Sequence, residues 1–540
     1  MKRNILKACV VGLGLLSIVS CDDPMDELTS LVYDRVFSPV DLEARDPQET
    51  SVRLQWTPSQ GARDYTIQLF EDDSLSFSGE PDVTLTTGET SVLITGLVYD
   101  TQYSARVMAN DSVDADRNSK WSEIAFRTEP EQNLDGLENE NIADRSVTMS
   151  WPAEIEMDSI AVCLYTSGTD GATVTSRYLT ADEIAAGRAT VEGLQPETGY
   201  RVRVYLNGKE RGTRTFTTIA DLEGAILVHD TDDLGAMLEA AQDGDVFALY
   251  GGTHRIAGDT EADAGTATIS ASITIKGIYP TDIPVINGNF DIENGASLSA
   301  SQIIFDGSHM DASDNPQAFN YRTAGVEYDS LDIQDCTIKN YGKGVMYLNV
   351  ASIINRVTFN NCIVDSVECN GGDLFDSRTG LIREFNLTNS TICHSATGRD
   401  FIRMDNASSS FSGEAGPVIT VDHCTIDGVA NSSSRRLLYV RYTGNTITWT
   451  NNLVSNMPEC GRGFSDNSAT YVPDFRNNNY WNTLNLTEAA SATSTARFFD
   501  TSGYTYDPQY RNPDEGDFTI QNEDVSTRQI GDPRWYTAQE

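Results

Sequence analysis

The sequence predicts an all-β chain in which two antiparallel β-sandwiches lead into a right-handed, single-stranded parallel β-helix. Three observations carry this expectation. Residues 38–128 and 129–219 each alternate apolar strand positions with polar turns, and the second stretch repeats the landmarks of the first. Further on, five segments superpose at spacings of 26, 28, 34 and 28 residues, the mark of a solenoid. Between them, residues 231–241 read as a short amphipathic helix with Thr231-Asp232-Asp233 as its N-terminal cap.

Composition bounds what such a chain can do. At 540 residues it is too long for one ordinary core, and its length suggests three or four domains. Charged residues at 22% and hydrophobic residues at 39% suit a folded protein with a polar surface. Acidic residues outnumber basic ones by 80 to 38, a formal net charge of -42. A field of that sign repels phosphate backbones and anionic lipid, which argues against DNA or RNA as partners. Anionic ligands are then restricted to places where the few cations gather. Five histidines without His/Cys ligand spacing give no expectation of a metal site. Of nine cysteines, Cys9 and Cys21 lie in the leading segment and Cys163 stands alone in its module. The other six fall within the repeats, where single cysteines pack as small apolar residues rather than pair.

The first residues form a motif. Met1-Lys2-Arg3 is positive, residues 5–19 are apolar but short for a membrane span, and Ile18-Val19-Ser20-Cys21 follows. That run resembles the lipobox of bacterial lipoproteins. The resemblance implies a signal peptide with lipobox over residues 1–21, lipidation at Cys21 and attachment to the membrane without a transmembrane helix. In the acidic tether, residues 22–37, Asp22, Asp23, Asp26 and Glu27 resemble the surface-export tag of lipoproteins in glycan-foraging Gram-negative bacteria. This implies lipid anchoring at the outer membrane, exposed on the cell surface. In other bacteria Asp after the cysteine implies inner-membrane retention, so surface and periplasmic orientation both stay open.

The two sandwich stretches share their landmarks. The first has Ser51-Val52-Arg53-Leu54-Gln55-Trp56, then Tyr65-Thr66-Ile67-Gln68-Leu69, then Leu97 six residues before Tyr103. The second has a strand ending at Trp151, another from Ile160 to Tyr165, and Leu194 six residues before Tyr200. They close on Phe126-Arg127-Thr128 and Phe216-Thr217-Thr218. This arrangement resembles the fibronectin type III family, which implies core tryptophans at Trp56 and Trp151 and corner-tying tyrosines at Tyr103 and Tyr200. Such modules read as a stalk.

Residues 220–540 are expected to form the β-helix with its N-terminal helical cap. The helix, then Asp243-Gly244-Asp245-Val246-Phe247-Ala248-Leu249, then Ile273-Thr274-Ile275-Lys276-Gly277, resembles the opening of pectate-lyase-like and chondroitinase-B-like β-helices. The internal repeat stands without any family. Leu331-Asp-Ile-Gln-Asp335-Cys336-Thr-Ile338 superposes on segments whose fifth residues are Asn361, Asn389, His423 and Asn451. Apolar residues two apart point into the coil, the Asp/Asn/His column marks a bend, and Cys336, Cys362, Ser390 and Cys424 form a column of small inward residues. His423 is therefore assigned to a turn ladder rather than to catalysis.

A second strand per repeat aligns Met346, Phe375, Ile402, Leu438 and Phe464 inward. Their neighbours then face solvent in pairs: Tyr347 and Asn349, Asp376 and Arg378, Arg403 and Asp405, Tyr439 and Arg441, Ser465 and Asn467. Rungs about 4.8 Å apart would join these pairs into one strip, with Arg399, Arg435, Arg436 and Arg462 beside it in the turns. Such a strip suits a sugar chain. Arg378, Arg403 and Arg441 would grip uronate carboxylates, and Tyr347 and Tyr439 would stack on pyranose faces. The structural alternative is a ladder of Arg–Asp pairs that only satisfies the sheet face.

Catalysis is the second functional reading. Elimination from a uronide needs a carboxylate neutraliser, an Arg cluster or Ca²⁺, and a base. Arg378, Arg403 and Arg441 could serve in the first role, but the related lyases use a Lys with an Arg, and here Lys343 is the last lysine in the chain. Hydrolysis would need converging carboxylates, for which Asp376 and Asp405 are the candidates, with Asp373 and Asp400 at the strand starts. No local motif supports either chemistry, so the expectation leans away from an enzyme, and no cofactor beyond possible Ca²⁺ is implied. The ending Ile530-Gly531-Asp532-Pro533-Arg534-Trp535, with tag, stalk and coil, resembles lipoproteins found with polysaccharide-utilisation systems. That resemblance carries no activity with it; together with the Arg-bearing strip, the expectation is a cell-surface lipoprotein that binds an acidic, uronate-containing polysaccharide beside other outer-membrane glycan-uptake proteins. A polysaccharide lyase or glycoside hydrolase, and an adhesin-like structural protein, are the alternatives.

Overall fold

The computed structural model describes residues 34–258, 263–308, 310 and 316–536. The leading segment with Cys21, and residues 22–33 of the tether, lie outside the described residues. No helix among the described residues is long and apolar enough to cross a membrane.

Two sandwiches open the structure. In the first, a three-stranded sheet faces a four-stranded one, built from strands such as Ser51–Thr57, Ala62–Glu71 and Gln102–Asp111. Strict alternation puts Val52, Leu54 and Trp56 of one strand into the core against Tyr65, Ile67 and Leu69 of another. The second sandwich packs strands such as Ser159–Thr166 and Gly199–Leu206 around Trp151 in the same way. Both corner tyrosines do what the landmarks imply. The Tyr103 hydroxyl accepts from the Val98 N–H at 3.0 Å and that of Tyr200 from the Gln195 N–H at 2.8 Å. The second module also carries the short helix Ala181–Ala186, which sequence patterning did not mark. Thr180 and Glu183 form a reciprocal capping box at its start, a signal that was readable in Thr180-Ala-Asp-Glu183.

From Ile226 the chain coils. Three parallel sheets of 10, 9 and 7 strands form the three faces of a parallel β-helix, each strand bonded to its equivalent one coil on. The five repeats lie in the expected register, with Leu331, Val357, Phe385, Ile419 and Ile447 paired in succession on the first face. The coil interior is one continuous apolar core, with contacts such as Phe375–Phe401, Phe401–Trp449 and Trp449–Phe464 at 5.7, 6.4 and 5.5 Å between ring centroids.

Each bend between the first and second faces is made by one residue in the left-handed region: Asp335, Asn361, Asn389, His423 and Asn451, with φ between 49° and 56°. Asp and Asn tolerate this conformation because a short polar side chain bonds locally. His423 occupies the same position with its Nδ1 2.8 Å from Asp422, as expected of a turn residue. The inward column continues beyond Cys424 as Asn452 and Asn478. The side-chain oxygen of Ser390 accepts from the Cys362 N–H, that of Asn452 from the Cys424 N–H and that of Asn478 from the Asn452 N–H. The seven described cysteines are unpaired and buried.

The helical cap is shorter than the expected span, and its N-cap falls within the expected capping run Thr231-Asp232-Asp233. It runs Leu234–Glu239, and Asp233 is its N-cap, accepting from the Ala236 N–H at 3.1 Å. Thr231 and Asp232 precede it in a turn, because the first residue able to bury an apolar side chain is Leu234. Leu234 and Leu238 plug the open end of the coil core.

Candidate functional site

The third face carries an outward column. Adjacent strands pair Asp291 with Asn320, Asn320 with Tyr347, Tyr347 with Asp376, Asp376 with Arg403 and Arg403 with Tyr439. The register proposed from sequence for Tyr347, Asp376, Arg403 and Tyr439 is therefore the one observed. A backbone bond from the Leu438 N–H to the Phe464 carbonyl, 2.8 Å, extends it one coil further. The column divides into two stretches of different chemistry.

Downstream, the charged side chains form a closed lattice. Arg378 clamps Asp376 at 2.8 Å, and Arg403 grips Asp405 through Nε at 3.1 Å and Nη2 at 2.8 Å while its Nη1 reaches Asp373 at 3.0 Å. Arg441 takes the remaining side of Asp405 at 2.7 Å. Arg436 lies between Asp400 at 3.2 Å and Asp466 at 2.5 Å, and Asp466 also meets Arg462 at 2.9 Å. Five arginines thus face five aspartates, and the cluster is neutral. Three of these guanidiniums, from Arg403, Arg436 and Arg441, lie over the Tyr439 ring at 5.3, 4.1 and 5.0 Å, and Arg378 lies over Tyr347 at 5.6 Å. The carboxylates also tie coils together, since Asp373 accepts from the Asp400 N–H at 3.0 Å and Asp400 from the Arg436 N–H at 3.1 Å.

Burial pushes the Asp376 and Asp400 carboxyls above their ordinary range, against the pull of Arg378 and Arg436. Burial acts the same way on Asp405, but the bonds from Arg403 and Arg441 outweigh it and hold that carboxyl low. The crowding of arginines in so acidic a chain has a local explanation here: they neutralise carboxylates that the coil buries.

Two sequence expectations need correcting. Asp376, Asp405 and Ser465 do not face solvent; all three are buried. The Arg403 and Arg441 side chains are 20% and 38% exposed, with their bonds already committed to aspartates. Strand parity fixes the direction of Cβ, whereas coverage depends on turns and on long arginines from neighbouring rungs. Within this lattice, no carboxylate or guanidinium stands unpaired to meet a reacting bond.

Upstream, the same face opens into a cleft of about 670 Å³. Asn289, Gln317 and Asn320 line its deeper part, and Thr266, Arg322, Lys343, Tyr347 and Arg378 its more exposed part. Asn289 and Asn320 are each 1% exposed. Asn289 Oδ1 accepts from the Thr266 hydroxyl at 2.7 Å and Asn320 Nδ2 donates to the Gln317 carbonyl at 3.0 Å. The other end of each amide, Asn289 Nδ2 and Asn320 Oδ1, has no partner. Arg322 is held by Asp291 at 2.9 Å.

Of the sequence-selected residues, Tyr347 lines this cleft, as does Arg378 from the edge of the lattice, where it stays bound to Asp376, whereas Arg403, Tyr439 and Arg441 belong to the lattice beyond it. Asn289, Gln317, Asn320 and Arg322 were missed because the repeat reading began at Leu331. The signal was present: Phe290 and Phe319 pair with each other and lead directly to Met346 and Phe375 in the inward column.

Elsewhere, Asp365, Cys393 and His394 bring potential metal-ligand atoms within 4.8 Å of one another. The 2.8 Å contact of His394 Nδ1 with Asp365 repeats Asn456 Nδ2 to Asp427 at 2.8 Å and Asn340 Nδ2 to Asp306 at 2.9 Å. The same bend geometry thus forms on amides alone, and His394 fits as its imidazole version.

Comparison with known proteins follows this division. Residues 252–395 and 419–535 match two families described as Domain of unknown function (DUF4957) and Domain of unknown function (DUF5123). No curated protein matches the chain. Among solved structures, the two-domain fibronectin type III segment of chicken tenascin is 23% identical, covering 33% of this chain and 97% of its own, with a TM-score of 0.23. The fifth fibronectin domain of Drosophila Lar is 27% identical over 17% of this chain and 97% of its own, with a TM-score of 0.15. Residues 37–125 match the fibronectin type III family, and the first sandwich is a fibronectin type III domain.

Proposed function

We propose that this chain is a non-catalytic carbohydrate-binding protein whose β-helix cleft holds a stretch of acidic, uronate-containing polysaccharide. In this reading the two sandwiches are a stalk, Cys21 carries the lipid anchor at the outer membrane, and the bound glycan is passed to uptake proteins there. The observation that carries the reading is the cleft itself: a polar cavity lined from successive rungs, in which Arg322 and Lys343 join Arg378, whose guanidinium lies over the Tyr347 ring. Cations, amides and one aromatic face are the groups that engage carboxylates, hydroxyls and pyranose rings. Binding is favoured over bond cleavage because Asp376 and Asp405, the acids a hydrolase would need, are each engaged by arginine.

Affinity gels containing pectin, alginate or a glycosaminoglycan test this directly. Retention on at least one acidic glycan is expected, weakening as salt rises, with no unsaturated product absorbing in the ultraviolet. Unretarded migration on all of them overturns the reading, and ultraviolet-absorbing product would replace it with elimination.

A further inference from the structure

Resting on the carbohydrate reading, we propose that Asn289 and Asn320 form a specificity subsite in the cleft, which admits sugars by demanding a hydrogen-bond donor from the ligand. Buried polar groups are almost always paired, so two unpaired amide ends in one cleft mark positions that a ligand completes. The orientation of Asn320 is fixed chemically. Its bonded partner is the Gln317 carbonyl, which only accepts, so the free end must be the side-chain oxygen. That oxygen can be satisfied by an O–H or N–H and by nothing else. Asn289, held through Oδ1 by the Thr266 hydroxyl, offers Nδ2–H and requires an acceptor.

The two amides are not positioned for one atom. Asn320 pairs with Asp291, so Asn289 sits one rung away and two residues along, a Cα separation of about 8 Å from rung and residue spacings. They therefore read two substituents, on one ring or on neighbouring rings. A polymer that presents acceptors alone, such as polyphosphate, satisfies Asn289 but leaves Asn320 buried and unpaired. A sugar hydroxyl or an acetamido N–H satisfies it. Charge is read by Arg322, Lys343 and Arg378, while the deeper amides distinguish a sugar from any other polyanion.

Calorimetric titration of the whole protein with oligogalacturonate, a hyaluronan oligosaccharide and inorganic polyphosphate tests the subsite. At least one glycan should bind and polyphosphate should bind at least tenfold more weakly. A preference for hyaluronan identifies the acetamido N–H as the donor, and a preference for oligogalacturonate identifies a hydroxyl. Asn320→Leu should weaken glycan binding at least tenfold with little change in Tm, because relief of the unpaired oxygen offsets the lost bond to the Gln317 carbonyl. Asn289→Asp places an anion where an acceptor must bind, and a similar loss is expected there. Glycan binding by the wild type that both variants retain overturns the subsite while leaving the carbohydrate reading intact. Polyphosphate binding as tight as glycan binding does the same. If no glycan binds the wild type, both proposals fall.

Discussion

At the scale of single residues, two arginines on one face separate structure from binding. Arg403 joins Asp373 and Asp405 and stacks on Tyr439, with both carboxylates almost fully removed from water. Removing one partner from a buried ionic group leaves an uncompensated charge, so Arg403→Ala should cost about 3–5 kcal/mol in urea unfolding. Among the described residues Arg322 is paired with Asp291 alone, and it is nearly half exposed, so Arg322→Ala should change stability by less than about 0.5 kcal/mol while weakening retention on an acidic glycan. Equal losses of stability in the two variants would erase the distinction between lattice and cleft. The lattice also sets a pH dependence. Asp405 has a depressed folded pKa, so its contribution is present above the ordinary Asp range and is lost as pH falls through that range. Asp376 and Asp400 have raised folded pKa values, so their ionised forms cost stability at neutral pH and that cost is relieved by acid. Asp405→Asn should accordingly be less stable at pH 7 yet lose less stability than the wild type between pH 5 and 3, as Tm measurements across that window will show.

At the scale of elements, the bends decide what could be read from sequence. Asp335, Asn361, Asn389 and Asn451 adopt positive φ with the side chains suited to it, and this column fixed the repeat. His423 is the departure, and His423→Asn should leave Tm unchanged or raise it. His423→Val places a β-branched side chain at φ 52° and should cost about 1–3 kcal/mol. A destabilised Asn variant would show that the imidazole does more than turn the chain. The preceding coil escaped the sequence reading for the same reason. Gln302 stands at the left-handed position with φ 54°, and Ala300 sits opposite Ile333 where later coils have bulky residues. The Asn289/Asn320 pair lies among these early coils, so the cleft was hidden while the Arg–Asp strip beyond it was visible. In the second sandwich, Glu183 closes the capping box and bonds Arg177, which hold its carboxyl down to about 2. That depressed value means its stabilisation is present above the unfolded range near pH 4.5 and is lost as pH falls toward 2. Glu183→Gln should lower stability at pH 7 by about 1 kcal/mol, after allowing for solvent screening, and by almost nothing at pH 2.

At the scale of the whole molecule, the chain secures its parallel coil with two segments from outside the repeats. The helix Leu234–Glu239 caps the N-terminal end, and the C-terminal segment folds back across the second face. The sequence Ile530-Gly531-Asp532-Pro533-Arg534-Trp535 spans several coils in a few residues. Gly531 N–H donates to the Asn451 carbonyl at 2.7 Å, Asp532 accepts from the Thr391 hydroxyl at 2.7 Å, and Trp535 Nε1 donates to the same hydroxyl oxygen at 2.6 Å. The Asp532 N–H adds a bond to Thr425 Oγ1 at 3.0 Å, while Ile530 packs with Leu453 and Ile520. Adjacent coils contact only their neighbours in a solenoid, so a strap that bonds three of them adds cooperativity that the repeats alone lack. Gly531 is where it can be loosened most sparingly. Its φ is 94°, and a Cβ there would lie 2.9 Å from Thr425 Oγ1 and 3.0 Å from Leu453 Cβ. Gly531→Ala should therefore cost about 1–3 kcal/mol, and a chain ending at Gln529 should lose more. In both, hydrogen exchange should accelerate first in the strands Thr446–Thr450 and Leu453–Met457 and only later in Glu327–Gln334. Uniform acceleration along the coil would mean that the segment stabilises the solenoid as a whole and does not pin its end.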